Sequence, residues 1–119
     1  MWRIESYGPQ YDGWYDDLTQ DQQDAILARL AMLAEQGPNL KRPVIGKIES
    51  SRHKNMKELR ASKEGSIRIL FVFDPLQNVI LLVGGDKTGQ WEKWYRKAIN
   101  EADQIYDQYI EELRDEGRR

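Results

Sequence analysis

The segment at residues 66–73 constrains the fold of this chain most, because six of its eight residues are large and apolar. Side chains of a β-strand alternate between two faces, and the odd-numbered positions here are all isoleucine or phenylalanine. The segment is therefore predicted to be a strand whose odd-numbered side chains enter the core. Arg68 then projects from the opposite face, where a charge beside so much apolar surface needs an anionic partner.

Four further segments have strand character, so the centre of the chain is predicted to form a sheet. The five strands are predicted at residues 2–7, 44–49, 56–61, 66–73 and 79–83. Asp74-Pro75 ends the longest strand and Gly84-Gly85 follows the last one, as turn residues commonly do. Because the central strands are joined by short connections, we expect an antiparallel meander.

Helical periodicity occurs on both sides of these strands. Residues 11–18 place aromatic and apolar side chains at i, i+3, i+4 and i+7. A capping-box pattern at Thr19 and Gln22 begins a second amphipathic helix, which ends at Gly37. From Trp91 the helical period continues for about six turns. The predicted class is α+β: an antiparallel sheet with two N-terminal helices and a long C-terminal helix, all carried on one face.

The 119 residues suffice for one hydrophobic core, and no low-complexity linker divides them, so a single domain over residues 1–119 is predicted. The lack of cysteine excludes disulfides and thiolate metal sites. No apolar run approaches the roughly 20 residues of a transmembrane helix, and the amino terminus lacks a signal-peptide pattern. We expect a cytoplasmic protein that makes no contact with a membrane.

Charge is segregated along the chain. Residues 41–73 contain 9 Lys and Arg against 3 Asp and Glu, a net charge of +6. Residues 1–40 and 74–119 are acidic, with net charges of −5 and −3, so the total of −2 conceals a basic centre. A local basic surface is what contacts with RNA phosphates need, although such a charge run also occurs on ordinary solvated faces.

The basic centre includes a candidate catalytic face. If Leu59 enters the core, Glu58 and Arg60 share the outward face of their strand with Arg68. The turn after the last strand can bring Lys87 to the rim of the same face. Guanidinium and ammonium groups stabilise the charge that develops when a ribose 2′-hydroxyl attacks the adjacent phosphate. These residues therefore favour cleavage of RNA phosphodiesters.

Such a reaction also needs a base and an acid, and the sequence leaves that assignment open. Glu58, His53 or a lysine can serve. His53 lies among cations, which favours the neutral imidazole that a base requires, yet it is equally consistent with an ordinary surface loop. Arg52, Lys54 and Lys57 are predicted to bind RNA phosphates.

Trp91 begins the long helix near Lys87 and is a candidate platform for a nucleobase, although its helical period is equally consistent with core packing. No metal-ligand spacing such as HExxH or a pair of histidines occurs, and a single histidine cannot make a conventional zinc site. We therefore expect neither a metal nor another cofactor.

Three stretches, taken together, resemble the HigB-like branch of the RelE/ParE toxin superfamily. They are HKNMKELR at residues 53–60, IRILFVF at residues 67–73 and GGDKTG at residues 84–89, followed by a terminal helix. The resemblance implies a RelE-like fold, with Arg68 as the arginine of the central strand and Lys87 as the basic residue after the last strand. Arg60 also matches. Met56 and Glu58 depart from the family pattern, since they stand where such enzymes can place lysines.

The resemblance implies a toxin of a type II toxin–antitoxin system, an endoribonuclease that cleaves messenger RNA on the translating ribosome without a metal. Its implied partners are the ribosome, messenger RNA and a cognate antitoxin, typically a short helix-turn-helix protein encoded nearby. Two alternatives remain open: a ParE-like toxin that inhibits DNA gyrase and cleaves nothing, and an inactive relative. Retention of Arg68, Lys87 and the cationic loop favours the nuclease.

Overall fold

Five strands and three α-helices form in the computed structural model, which describes residues 1–61 and 66–117. The strands are β1 (Arg3–Ser6), β2 (Ile45–Lys47), β3 (Met56–Arg60), β4 (Ile67–Phe73) and β5 (Asn78–Asp86). The helices are α1 (Pro9–Asp16), α2 (Gln20–Gln36) and α3 (Trp91–Gly117), with a short 3-10 helix at Gly37–Asn39. The predicted α+β class, with two N-terminal helices and a long C-terminal helix, is confirmed.

The strands form one sheet in the order β1-β5-β4-β3-β2. The meander from β2 to β5 is antiparallel, as predicted. β1 departs from it, because it pairs with β5 in the parallel sense, with Arg3 opposite Asn78 and Ser6 opposite Leu81. Two helices follow β1, so no hairpin fixes its direction, and the chain re-enters the sheet at the far edge as β2.

Helices cover both faces of the sheet. α1 and α2 pack on the face that Ile67, Ile69 and Phe71 line, and α3 packs on the face that Leu70 and Val72 line. The expectation that all helices lie on one face is wrong, because β4 and β5 are apolar on both sides and each side needs a cover. The face that carries Arg68 is therefore covered by α3 and not open to solvent.

Two consecutive glycines let both helical layers approach β5 closely. A Cβ at Gly84 would lie 2.1 Å from the Trp14 ring of α1, and a Cβ at Gly85 would lie 2.3 Å from the indole nitrogen of Trp94 in α3. The strand continues through both glycines to Asp86, whereas the sequence predicted that they end it. The packing of the two tryptophans explains this difference, because glycine in a strand permits such close approach.

One side chain of α1 completes the edge of β5 beyond the end of β1. The Gln10 amide nitrogen donates to the Gly84 carbonyl oxygen at 3.0 Å, and the Gln10 oxygen accepts from the Gly84 amide at 2.9 Å. These bonds satisfy backbone groups that would otherwise lack a strand partner. They also fix α1 against the sheet.

The ends of the two longer helices follow their local signals. α2 begins after the predicted capping box, in which the Thr19 hydroxyl accepts from the Gln22 amide at 3.2 Å. α3 begins at Trp91, as predicted, and continues to Gly117. Within the described ranges, no helix is both long and apolar enough to cross a membrane.

Candidate active site

A buried carboxylate, Glu58, gathers three side chains on the α3 face of the sheet. Its Oε1 accepts from Arg60 Nε at 3.1 Å and lies 3.6 Å from Arg68 Nε. Its Oε2 accepts from the Tyr95 hydroxyl at 2.6 Å, and the Tyr95 oxygen accepts from Arg68 Nε at 3.2 Å. We name these four residues the Glu58 cluster.

Strand register explains how the cluster assembles. Arg60 and Arg68 lie directly opposite each other across β3 and β4, and Glu58 is two residues from Arg60 on the same face. Like charges in directly opposed positions repel, so the carboxylate between the two arginines stabilises their pairing. The prediction that these three residues share a face is confirmed, and Glu58 is an anionic partner of Arg68.

The cluster has room to form because β2 contributes a glycine opposite Glu58. Gly46 pairs with Glu58 across β2 and β3. A Cβ at Gly46 would lie 2.8 Å from Arg60 Nη2 and 3.0 Å from Glu58 Oε1. Any larger residue would displace one of these two side chains, so the absence of a side chain at Gly46 is part of the site.

The members of the cluster differ in their access to solvent. The side chains of Glu58 and Arg68 are 5% and 8% exposed, whereas that of Arg60 is 36% exposed. Arg68 also donates from Nη1 to the Ile67 carbonyl oxygen at 3.1 Å. A ligand therefore reaches Arg60 and the half-buried Tyr95 more directly than it reaches Arg68.

Tyr95 holds its proton at neutral pH. Burial raises the pKa of Tyr95 to about 12, and the hydrogen bond to the Glu58 carboxylate acts in the same direction. The neighbouring Arg68 lowers this pKa only in part. At neutral pH Tyr95 is therefore a neutral phenol that donates a hydrogen bond to the Glu58 carboxylate.

An open groove of about 530 Å³ leads to the cluster. Glu58 and Tyr95 line it together with residues 47–50, at the end of β2 and just beyond it, and with the first turns of α3. Trp91 borders the groove, is 55% exposed and meets the Tyr95 ring edge to face, with 6.3 Å between ring centroids. The sequence left Trp91 as either a platform for a nucleobase or a core residue. Its exposure excludes the core position. The groove has the volume of a small-ligand site.

Lys87 follows the end of β5, close to the strand position of Arg68. Gly85 pairs with Arg68, and two residues later the Lys87 amide donates to the Ser66 carbonyl oxygen at 3.1 Å. Lys87 is half-buried there. Its backbone thus lies beside the start of β4, and its role at the rim of the cluster stays a prediction.

His53 and Arg52 belong to a second group of side chains. His53 Nε2 lies 2.8 Å from Asp107 Oδ1, Arg52 pairs with the other Asp107 oxygen, and the His53 ring packs edge to face on Tyr106 at 4.7 Å. Asp107 comes 12 residues after Tyr95 in α3, which is about 18 Å along the helix axis. His53 is therefore beyond hydrogen-bonding distance of the Glu58 cluster.

The environment of His53 differs from the one expected. The sequence surrounds it with cations, but in the structure its ring contacts the Asp107 carboxylate. Partial burial acts to raise the pKa of Asp107, but the hydrogen bond with His53 and the charge of Arg52 outweigh it, and this pKa is lowered. The Arg52 amide also donates to Asp103 at 3.1 Å. Two acidic residues of α3 thus hold the cationic loop.

The three cations predicted to bind RNA do not form one surface. Lys57 is half-buried and lies on the opposite face of the sheet from Arg68, because strand alternation in β3 places it there. Arg52 is paired with α3, and Lys54 is exposed in the same loop. Their common role as an RNA-binding segment stays a prediction.

Two residues of the site were not identified from the sequence. Tyr95 belongs to the apolar stripe of α3, whose spacing indicated core packing alone. A hydroxyl-bearing ring one turn after Trp91 is the signal that identifies it, because a buried tyrosine usually finds a polar partner. Gly46 has no comparable signal, since its role arises only when β2 pairs with β3.

The described residues offer charge stabilisation and proton transfer. Arg60 and Arg68 supply two cations, and Tyr95 with Glu58 supplies a linked proton donor and acceptor. In residues 1–61 and 66–117, no three histidine, aspartate or glutamate side chains come together in a way that could hold a metal ion.

Sequence comparisons relate the chain to known proteins. The family model described as "Phage derived protein Gp49-like (DUF891)" matches residues 13–107. Two proteins of Mycobacterium tuberculosis (strain ATCC 25618 / H37Rv) are similar: "Putative toxin HigB2", 38% identical over 104 residues, and "Putative toxin HigB3", 43% identical over 102 residues. Each alignment covers 86% of this chain. The chain spans about half the length of HigB2, 52%, and 89% of HigB3.

Solved structures share the fold at low sequence identity. A mutant of the E. coli toxin RelE in the free state has a TM-score of 0.59 at 11% identity, covering 83% of this chain and 95% of that chain. RelE in the RelE-RelB complex of Pyrococcus horikoshii OT3 has a TM-score of 0.53 at 14% identity, covering 74% and 97%. These structures show the fold, and the curated relatives show the likeness to HigB. The chain therefore belongs to the Gp49-like family and is a HigB-like protein with the fold of RelE.

Proposed function

We propose that this chain is the toxin of a type II toxin–antitoxin pair and that it cleaves messenger RNA on the translating ribosome without a metal ion. The Glu58 cluster carries the proposal, because it places a carboxylate and a tyrosine in the wall of an open groove, with two arginines beside that carboxylate. Acid–base groups beside fixed cations are what cleavage of an RNA phosphodiester needs.

The proposed step begins at a ribose 2′-hydroxyl. Its oxygen forms a bond to the adjacent phosphorus while the bond between that phosphorus and the 5′-oxygen breaks. A base takes the 2′ proton, and an acid gives a proton to the departing 5′-oxygen. The products are a 2′,3′-cyclic phosphate and a 5′-hydroxyl. Negative charge builds on the non-bridging oxygens in the transition state, where cations stabilise it.

Tyr95 and Glu58 are the proton-accepting pair in this proposal. The 2′ proton passes to the Tyr95 oxygen as the Tyr95 proton passes to Glu58, across the existing hydrogen bond of 2.6 Å. The pKa of about 12 keeps Tyr95 protonated before the reaction, so the transfer begins from one protonation state of the phenol.

The two arginines have different roles. Arg60, which is 36% exposed, contacts the phosphate, whereas Arg68, which is 8% exposed, holds Tyr95 beside Glu58 and acts as a positioning residue. Lys87 at the end of β5 donates the proton to the 5′-oxygen. His53 receives no role in the step, because its contact with α3 keeps it away from the cluster.

The proposed partners are the ribosome and a cognate antitoxin. The archaeal RelE with a similar fold is found in a complex with RelB, and the curated relatives carry the names of toxins. We extend both features to this chain. A small helix-turn-helix protein encoded next to it would bind the toxin and prevent its access to the ribosome.

Mapping RNA ends after induction of the toxin tests the activity. Wild type should generate new 5′-hydroxyl ends, which ligate to adaptors only after kinase treatment. Arg68→Ala should lower their frequency about a hundredfold or more, because Tyr95 and Glu58 lose the group that positions them. Leu76→Ala, at an exposed position of the β4–β5 turn, is the control and should cleave as wild type does. Circular dichroism verifies that each variant is folded.

Three results would contradict the proposal in different ways. Toxin-dependent ends that carry mainly 5′-phosphates would contradict attack by the 2′-hydroxyl. Growth arrest with gyrase-linked DNA breaks and no toxin-dependent RNA ends would show the ParE-like activity instead. Full cleavage by folded Arg68→Ala would show that the Glu58 cluster is not the active site.

A further inference from the structure

Trp91 borders two grooves. One is the groove of about 530 Å³ that reaches Glu58 and Tyr95, and the other, of about 320 Å³, lies at the start of α3. Both are lined by Trp91, Glu92 and Arg96, so these residues lie where the two grooves adjoin, and we call them the ridge. Trp91 is the large apolar side chain on this ridge, and 55% of it is exposed.

The ridge is supported from within the fold. The Trp91 ring meets the Tyr95 ring edge to face at 6.3 Å, and Tyr95 meets Trp94 edge to face at 5.0 Å. Trp94 lies against Gly85 of β5, so a row of aromatic rings connects the exposed indole to the sheet. An exposed indole that is supported in this way offers a large stacking surface with few rotatable bonds to order.

We propose that Trp91 inserts between the two consecutive nucleobases whose shared phosphate is cleaved, with one base in each groove. This inference rests on the proposed ribonuclease function and states how the same site takes its RNA. The groove at Glu58 and Tyr95 receives the nucleotide that supplies the 2′-hydroxyl, because that hydroxyl must reach Tyr95. The groove at the start of α3 receives the nucleotide on the 3′ side, which carries the 5′-oxygen.

Separation of the two bases serves the geometry of the reaction. In a stacked strand the 2′-oxygen is not in line with the bond between phosphorus and the 5′-oxygen. In-line attack therefore needs rotation of the backbone between the two nucleotides. Apolar side chains that enter between bases unstack them and kink the strand. An indole has two faces and can replace the base stacking on each side, so the strand is held close to its attack conformation.

The polar residues of the ridge suit this occupant. Arg96 supplies donors and Glu92 supplies acceptors, and both line the two grooves on either side of Trp91. Unstacked bases of single-stranded RNA expose edges that pair with such groups while an aromatic ring stacks on the base.

A double-mutant cycle on programmed ribosomes tests the insertion. The probes are a synthetic messenger RNA with one mapped cleavage site and two copies of it that carry an abasic ribose immediately 5′ or immediately 3′ of the cleaved bond. Full-length wild type, Trp91→Ala and Trp91→Phe are compared in single-turnover cleavage. On the intact message we expect Trp91→Ala to be about tenfold slower or more and Trp91→Phe to stay within about threefold of wild type, since phenylalanine keeps a stacking ring.

The abasic messages distinguish insertion from other roles. Loss of either base should slow wild type by at least the factor seen for Trp91→Ala, and it should slow Trp91→Ala much less than it slows wild type. Sensitivity of wild type to only one of the two bases would overturn insertion in favour of one-sided stacking. Additive effects of the mutation and the abasic sites would overturn any contact between Trp91 and these bases. Failure of wild type to cleave the intact message would contradict the proposed function itself, so the two failures are distinguishable.

Discussion

Glu58 is the residue on which the other members of the site depend. It separates the charges of Arg60 and Arg68, which would otherwise face each other across β3 and β4 without a carboxylate between them. It also accepts a hydrogen bond from the Tyr95 hydroxyl. Removing one partner from a buried polar group commonly lowers the free energy of unfolding by about 1–3 kcal/mol. A substitution at any member of the cluster therefore also destabilises the members that remain.

Tyr95→Phe separates the packing of Tyr95 from its chemistry. The ring and its contacts with Trp91 and Trp94 are retained, but the donor to Glu58 Oε2 is removed. We expect the free energy of unfolding to fall by about 1–2 kcal/mol and cleavage to slow by about a hundredfold. Denaturant unfolding and single-turnover cleavage measure the two effects.

Tyr15→Phe is a matched control, because Tyr15 packs from α1 on the opposite face of the sheet. It should leave cleavage unchanged. If folded Tyr95→Phe cleaved as fast as wild type, the proton transfer through Tyr95 would be refuted.

The β4–β5 hairpin and α3 are joined by a second buried carboxylate, Asp74. It accepts from the Leu76 and Asn78 amides at 2.9 and 2.8 Å and from the Tyr109 hydroxyl at 2.5 Å. Burial acts to raise the pKa of Asp74, but these hydrogen bonds, above all the one from Tyr109, outweigh it and lower the pKa from its usual 3.8. α3 is thus tied to the sheet at two points, at Tyr95 in its second turn and at Tyr109 in its second half.

The lowered pKa makes this connection sensitive to acid. Ionised Asp74 stabilises the fold above the pKa of an unfolded aspartate, about 3.9, and this stabilisation is lost as the pH falls below that value towards the folded pKa. Asp74→Asn should lower the free energy of unfolding at pH 7 by about 2 kcal/mol. The difference from wild type should shrink between about pH 5 and pH 3. Denaturant unfolding at each pH measures it.

Asp115→Asn, at an exposed position near the end of α3, is the control and should change the free energy of unfolding little at any pH. A difference between Asp74→Asn and wild type that stayed constant from pH 7 to pH 3 would argue against an ionised Asp74 as the acid-sensitive group.

The folded molecule distributes its basic centre over different surfaces. Arg68 is buried beneath α3, Lys57 lies on the other face of the sheet, and Arg52 is paired with Asp107. The net charge of +6 over residues 41–73 is therefore not one open surface. Electrostatic attraction to ribosomal RNA should depend on the few cations that remain accessible, among them Lys54.

Joint neutralisation of Arg52, Lys54 and Lys57 to glutamine should weaken ribosome association and reduce its salt dependence, because each neutralised phosphate releases counterions. We expect the slope of log affinity against log salt to decrease by about one for each phosphate that the variant no longer neutralises. Co-sedimentation with ribosomes at graded salt measures the slope. An unchanged slope in the triple variant would mean that the segment is an ordinary solvated face.

The sequence by itself determined most of the elements and the family. The strand at residues 67–73, the capping box at Thr19 and Gln22, and the start of α3 at Trp91 all follow from patterns within a few residues. Such patterns are local, because side-chain alternation and caps depend on near neighbours in the chain. The shared face of Glu58, Arg60 and Arg68 could be predicted for the same reason.

Only the tertiary structure decided which distant partners those strands, helices and side chains contact. The second helical layer, the parallel pairing of β1, the extension of β5 through its glycines and the carboxylate beside His53 each depend on a partner far away in the sequence. Glu58 and Tyr95, which are 37 residues apart, are the clearest case. A local pattern shows that a residue is apolar, charged or small, but its partner is selected by packing of the whole chain, in which many distant contacts form together.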